Sequence, residues 1–103
     1  MIHVIATVEL HDGKREAFLT EFRKLVPLVR TEEGCLEYGP ALDIDTGLAA
    51  QTPVRACTVT VVEKWENLEA LKKHLQAPHM IAYRSKVKDY VKSTTLQVLA
   101  AAD

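Results

Sequence analysis

A chain of 103 residues, 48% apolar and 26% charged, fits one folded domain and is too apolar for intrinsic disorder. A net charge of −1, with Lys and Arg spread along the chain, offers none of the basic clustering that a nucleic-acid-binding face requires. No apolar run approaches the ~20 residues needed to cross a bilayer. The alternating start MIHVIATVEL lacks the basic n-region and cleavage site of a signal peptide, so a cytoplasmic protein without a membrane partner is expected.

Residues 2–10 alternate with a period of two, placing Ile2, Val4, Ala6, Val8 and Leu10 on one face of a strand. Asp12-Gly13 breaks the alternation, with Asp12 as a candidate helix N-cap. Phe18, Phe22, Leu25 and Val29 then follow at spacings of four, three and four, the stripe of an amphipathic helix. Pro27 lies inside it and predicts a kink, and Thr31-Glu32-Glu33-Gly34 closes it. A second strand is expected from about Cys35 to Ile44, with Leu36, Tyr38, Leu42 and Ile44 on one side. After a loop ending near Pro53, residues 55–65 form the strongest strand of the chain, rich in Thr and Val.

Asn67 caps a short helix with Leu68, Leu71 and Leu75 on one face, and Pro78 starts another at the position where a missing N–H costs nothing. Met80, Tyr83, Val87, Tyr90 and Val91 supply the apolar side of this last helical segment. Residues 94–100, TTLQVLA, make a final strand. The order is βαββααβ, an α+β chain over residues 1–103 with no second domain. Its consistent solution is a ferredoxin-like four-stranded antiparallel sheet with helices on one face. The uncovered face is expected to be apolar and to be hidden by pairing two sheets across a two-fold axis, which predicts a homodimer.

The cysteines fit a reducing compartment. If residues 44 and 56 pair near the hairpin loop, Cys35 lies opposite Trp65 and Cys57 opposite Asp43. Their separation of roughly eight residues is about 26 Å at the usual strand rise. A disulfide spans less than ~7 Å between Cα atoms, so two free thiols are expected.

Chemistry has few places to reside. The third strand puts Cys57, Val59, Val61, Glu63 and Trp65 on one face. Glu63 beside the only Trp has two readings. One takes Glu63 as a frayed strand end and Trp65 as simple core. Alternatively Trp65 is a flat wall for a planar ligand and Glu63 a carboxyl aimed into the same apolar pocket, with a raised pKa. His74 and His79, in HLQAPH, are five apart with a proline between them, so they do not share a helical face. Without a third ligand they argue against a metal site. They are either solvated or capping residues, or proton carriers. His3 and His11 are expected at the surface. No glycine-rich phosphate loop, dinucleotide fingerprint or nucleophile elbow is present.

Two stretches, EEGCLEYGPALD and EKWENLEALKKHLQAPHMIAYRSKVKDYV, resemble the bacterial quinol monooxygenases of the antibiotic biosynthesis monooxygenase superfamily. The shared marks are Gly34-Cys35 with Tyr38, the Glu63-x-Trp65 strand end, and His74 followed by Pro78-His79. The resemblance implies a dimeric α+β barrel that oxidises a hydroquinone or polyketide-like phenol with molecular oxygen. It implies neither a metal nor a bound organic cofactor, and no motif supports a flavin. Glu63, His74 and His79 become the candidate bases, and Trp65, Tyr38 and Tyr83 the candidate substrate-binding residues. Haem-degrading relatives use an Asn on a strand. Asn67, the helix cap, is the only Asn here, so haem degradation is disfavoured. A non-catalytic dimer that binds an aromatic metabolite is the alternative from a different class.

Overall fold

The computed structural model describes all 103 residues. Seven elements follow in order: β1 (Ile2–Leu10), α1 (Arg15–Arg30), β2 (Cys35–Ala41), β3 (Thr58–Trp65), α2 (Leu68–Leu75), α3 (Pro78–Val87) and β4 (Val91–Ala100). The strands form one antiparallel sheet in the order β2-β3-β1-β4. This is the ferredoxin-like arrangement expected from the pattern. No helix is long and apolar enough to cross a membrane.

The core lies between one sheet face and the helices. Val4, Ala6, Val8 and Leu10 of β1 and Val59, Val61 and Trp65 of β3 point into it, as the period of two requires. From the other side α1 contributes Phe18, Phe22, Leu25 and Val29, with Leu19 and Val26 widening the stripe. Pro27 sits within α1, which runs on to Arg30. The N-terminus of α1 begins later than expected. Lys14 is the N-cap and makes no side-chain cap bond, while Asp12 accepts a contact from the Cys57 thiol at 3.6 Å.

Three further expectations are corrected. First, β2 ends at Ala41, so Leu42 and Ile44 fall outside it and are exposed. The chain from 42 to 57 is an irregular loop. Its clasp is Asp43, which accepts from Arg55 Nε at 2.8 Å and Nη2 at 2.9 Å; this pairing holds the Asp43 carboxyl down at about 2. Second, a register shift between Cys35 and Glu37 makes β2 run one residue out of step. Cys35 does pair with Trp65, but Tyr38 then pairs with Glu63, and Leu36 turns outward. Third, Leu68 is exposed, and the buried face of α2 is Ala70, Leu71 and His74. The Asn67 cap is present, its side chain accepting from Ala70 N at 2.9 Å.

Both cysteines are free. The outer sheet face is less apolar than the pattern led one to expect. Paired rows such as Thr60, Thr7 and Thr95 interrupt Ile5, Val62 and Leu99. β4 leaves Leu96, Val98 and Leu99 each 47% exposed, but only Leu99, opposite His3, lies on this outer face; Leu96 and Val98, opposite Ala6 and Val4, lie on the core face where the helices do not cover it.

One close approach fixes the helix layer against the sheet. Gly34 has φ +85°, and a Cβ there would stand 2.6 Å from the Cβ of Ala70. Only a glycine lets the chain turn out of α1 into β2 while α2 passes at this distance. Glu66 N donates to Gly34 O at 2.8 Å across the same junction. His74, four residues after Ala70, therefore hangs below the turn that ends α1.

Candidate active site

Between the inner sheet face and α3 lies a cavity of about 480 Å³, partly open to solvent. Its wall is mostly apolar, with Ala6, Val8 and Val61 from the sheet and Met80 and Val87 from α3. Leu96 and Thr94 of β4 form one side. Five polar residues share the wall, Glu63, His74, Arg84, Lys88 and Thr94, together with the phenols of Tyr38 and Tyr83. An apolar hollow with a few convergent polar groups is the usual form of a small-molecule site.

Glu63 comes from β3, flanked across the sheet by Val4 on β1 and Tyr38 on β2. Directly opposed residues share a face, so the carboxyl points into the core. Only 5% of Glu63 is exposed. Its partner is the Trp65 indole, whose Nε1 donates to Oε1 at 2.9 Å. Burial disfavours the carboxylate and raises the Glu63 pKa to about 7; the Trp65 bond opposes this and the Glu32 charge adds to it.

Trp65 is fully buried and does not line the cavity. Of its two readings from the sequence, core residue or flat wall, the burial fits the first, and the indole is also the donor behind Glu63. Its ring also packs on His74, with centroids 4.6 Å apart.

His74 is 1% exposed and reaches the cavity from α2. Its Nδ1 lies 2.9 Å from Oε2 and 3.2 Å from Oε1 of Glu32, a residue in the turn closing α1. Burial pulls the imidazole below its ordinary pKa, against the opposing pull of Glu32. The ring is therefore neutral near pH 7 and carries a lone pair. Tyr38 stacks on Phe22 at 5.6 Å and meets the His74 ring edge-on at 5.3 Å. Tyr83 packs edge-on against Phe18 and Phe22. Burial pushes both phenols above their usual range, leaving them neutral donors to whatever fills the cavity.

His79 stands apart from this group. It binds the same Glu32 oxygen, Nε2 to Oε2 at 2.7 Å, but lines a shallow pocket of about 120 Å³ between α1 and α3. Glu32, Arg84 and Lys88 were not legible as site residues in the sequence. No three His, Cys, Asp or Glu side chains are grouped as metal ligands.

The family model for antibiotic biosynthesis monooxygenase matches residues 1–86. The chain belongs to the antibiotic biosynthesis monooxygenase family. It is 38% identical over 101 residues to YgiN of Escherichia coli K12, described as a probable quinol monooxygenase, with 96% of each chain covered. The solved structures of PA3566 from Pseudomonas aeruginosa and Rv0793 from Mycobacterium tuberculosis share the fold. Their TM-scores are both 0.80, at 24% and 23% identity, with 99% of this chain covered and 94% and 95% of theirs. In this member of the family, the cavity wall thus carries a carboxyl, an imidazole and two neutral phenols.

The Glu63 environment has a measurable consequence for stability. A carboxyl whose folded pKa exceeds its unfolded value favours the native state fully at low pH, and that contribution is lost as pH rises through the folded value. For Glu63, raised from 4.5 to about 7, the loss is on the order of 3 kcal/mol and is complete above neutrality. Glu63→Gln keeps an acceptor for Trp65 without the titration. Urea unfolding of the two proteins between pH 4 and pH 8 should show the variant gaining on the parent as pH rises. A constant difference across that range would contradict the assigned environment.

Proposed function

We propose that the protein oxidises a reduced aromatic compound, a hydroquinone or a polyketide-like phenol, with molecular oxygen. The observation that carries this reading is a largely apolar cavity with two proton acceptors, Glu63 and His74, both suited to act near neutral pH. The family and the quinol monooxygenase description of YgiN support the same reaction class. The chemistry asks little more of a protein. A hydroquinone that loses a phenolic proton becomes electron-rich enough to reduce oxygen directly. In the simplest balance, the hydroquinone gives up two electrons and two protons and oxygen takes both, yielding quinone and hydrogen peroxide. In monooxygenation, one oxygen atom enters the ring system and the other leaves as water. Either way the first step is proton removal. In this reading His74 or Glu63 takes that proton, while the Tyr38 and Tyr83 hydroxyls orient the ring substituents. In this reading the substrate supplies the electrons, with no metal or organic cofactor.

The working unit in this proposal is a homodimer, supported by the apolar side chains that β4 leaves exposed. Sedimentation at micromolar concentration should give twice the 11.5 kDa chain mass, and a species of chain mass alone would overturn the dimer.

Oxygen uptake with menadiol and related hydroquinones, corrected for autoxidation, tests the reaction. The parent protein should accelerate uptake. Replacing the acting base, by His74→Ala or Glu63→Gln, should lower turnover by about 10²–10⁴-fold with little change in ligand binding. Parent-level rates in both variants would remove general-base catalysis. Ligand binding without any uptake by the parent would replace the enzyme by a module that binds an aromatic metabolite.

A further inference from the structure

Glu32 does something that neither the cavity nor the family marks explain. It contributes nothing to the cavity wall, yet its carboxylate is the meeting point of two histidines from different helices. Oε2 lies 2.9 Å from His74 Nδ1 in α2 and 2.7 Å from His79 Nε2 in α3, with Oε1 a further 3.2 Å from His74. The Glu32 side chain is 13% exposed, the His74 side chain 1% and the His79 side chain 24%. The three residues thus run from the buried cavity wall to the protein surface through one carboxylate.

An ionised carboxylate only accepts hydrogen bonds, so the ring nitrogens facing it must carry hydrogen. For His74 this selects the tautomer protonated on Nδ1. The other nitrogen, Nε2, then holds the lone pair and is the one left to a molecule in the cavity. A buried imidazole with no such partner would be free to take the opposite tautomer, presenting an N–H to the substrate and no base. The carboxylate has a second effect: once Nε2 takes a proton, the resulting imidazolium sits against an anion.

The geometry points to Glu32 as the positioning residue that makes His74 a base, with His79 holding the far side of the carboxylate in place. This inference rests on the oxidation proposed above for the choice of His74, but the tautomer it predicts exists with or without substrate. No new covalent step is involved. The phenolic proton moves to His74 Nε2, and the proton already on Nδ1 stays shared with Glu32.

The charged and titratable groups around the pair are few. His74 faces Glu32, His79 and Arg84, with Tyr38 and Trp65 against its ring. His79 shares its surface pocket with Glu21, Lys24 and Lys86. None of these offers His74 Nδ1 a second acceptor, so loss of the Glu32 charge has no obvious replacement.

Glu32→Gln, Glu32→Asp and His79→Asn separate positioning from simple structural support. The first readout is the pair of ring nitrogen chemical shifts of His74 in ¹⁵N-labelled protein without substrate. The parent should show the Nδ1-protonated tautomer across the neutral range. Glu32→Gln should show a mixture or the Nε2-protonated form, and Glu32→Asp should retain part of the parent tautomer. The second readout is menadiol oxidation. Glu32→Gln should lower kcat on the order of 10²-fold, with KM little changed and the low-pH limb of the rate profile displaced; His79→Asn should fall in between. If Glu32→Gln keeps the parent tautomer and the parent pH profile while folded by circular dichroism, the positioning role is wrong. If the parent itself does not oxidise hydroquinones, the functional proposal fails, and the nitrogen shifts still decide the role of Glu32.

Discussion

A carboxyl and an imidazole share the space between sheet and helices, and each persists there because one partner satisfies it. Unpaired, either group would cost several kcal/mol to bury. Trp65 Nε1 donates to Glu63, and Glu32 accepts from His74 Nδ1; no buried side-chain nitrogen or oxygen is left without a partner. The two partners act in opposite ways. The indole donates to Glu63 without carrying a charge, so burial still dominates and the carboxyl titrates near neutrality. The Glu32 carboxylate does carry a charge, and it pulls upward on an imidazole that burial pulls down. A single cavity wall thereby holds two titratable groups shifted by different physics.

The backbone geometry that permits this is local and specific. Gly34, in a left-handed conformation, lets α2 approach to the point where any larger residue would strike Ala70. The approach brings His74, one helical turn further on, under Glu32 in the preceding turn. The register shift in β2 matters as much. It places Tyr38 opposite Glu63, so that the phenol enters the core beside the carboxyl and stacks on Phe22. Chemistry and packing therefore depend on the same few positions.

Periodicity carried most of the fold. The alternation of β1 and β3 and the Phe18–Val29 stripe identified which faces are buried, and element order led to the sheet topology. The Glu63-x-Trp65 pair was legible as an anomaly because a strand period of two puts both on the core face. Its meaning was not. Whether the indole borders a cavity or supports the carboxyl depends on where α2 and α3 leave space, which strand alternation does not encode. Glu32 was less visible still. It lies in an ordinary polar turn, and its hydrogen bonds reach across 42 and 47 residues of sequence. Leu42 and Ile44 misled in the other direction. They continue an apolar alternation past Ala41, but the strand ends there and the chain enters a loop held by the Asp43–Arg55 pair.

The most direct test of this account is the titration of Glu63 itself, followed by the ¹³C shift of its side-chain carboxyl in labelled protein. A midpoint at about 7 is predicted for the parent, because burial outweighs the Trp65 hydrogen bond. Trp65→Phe should move it higher, because the bond that favours the ionised form is lost. A parent midpoint in the ordinary glutamate range of about 4–4.5 would contradict the account.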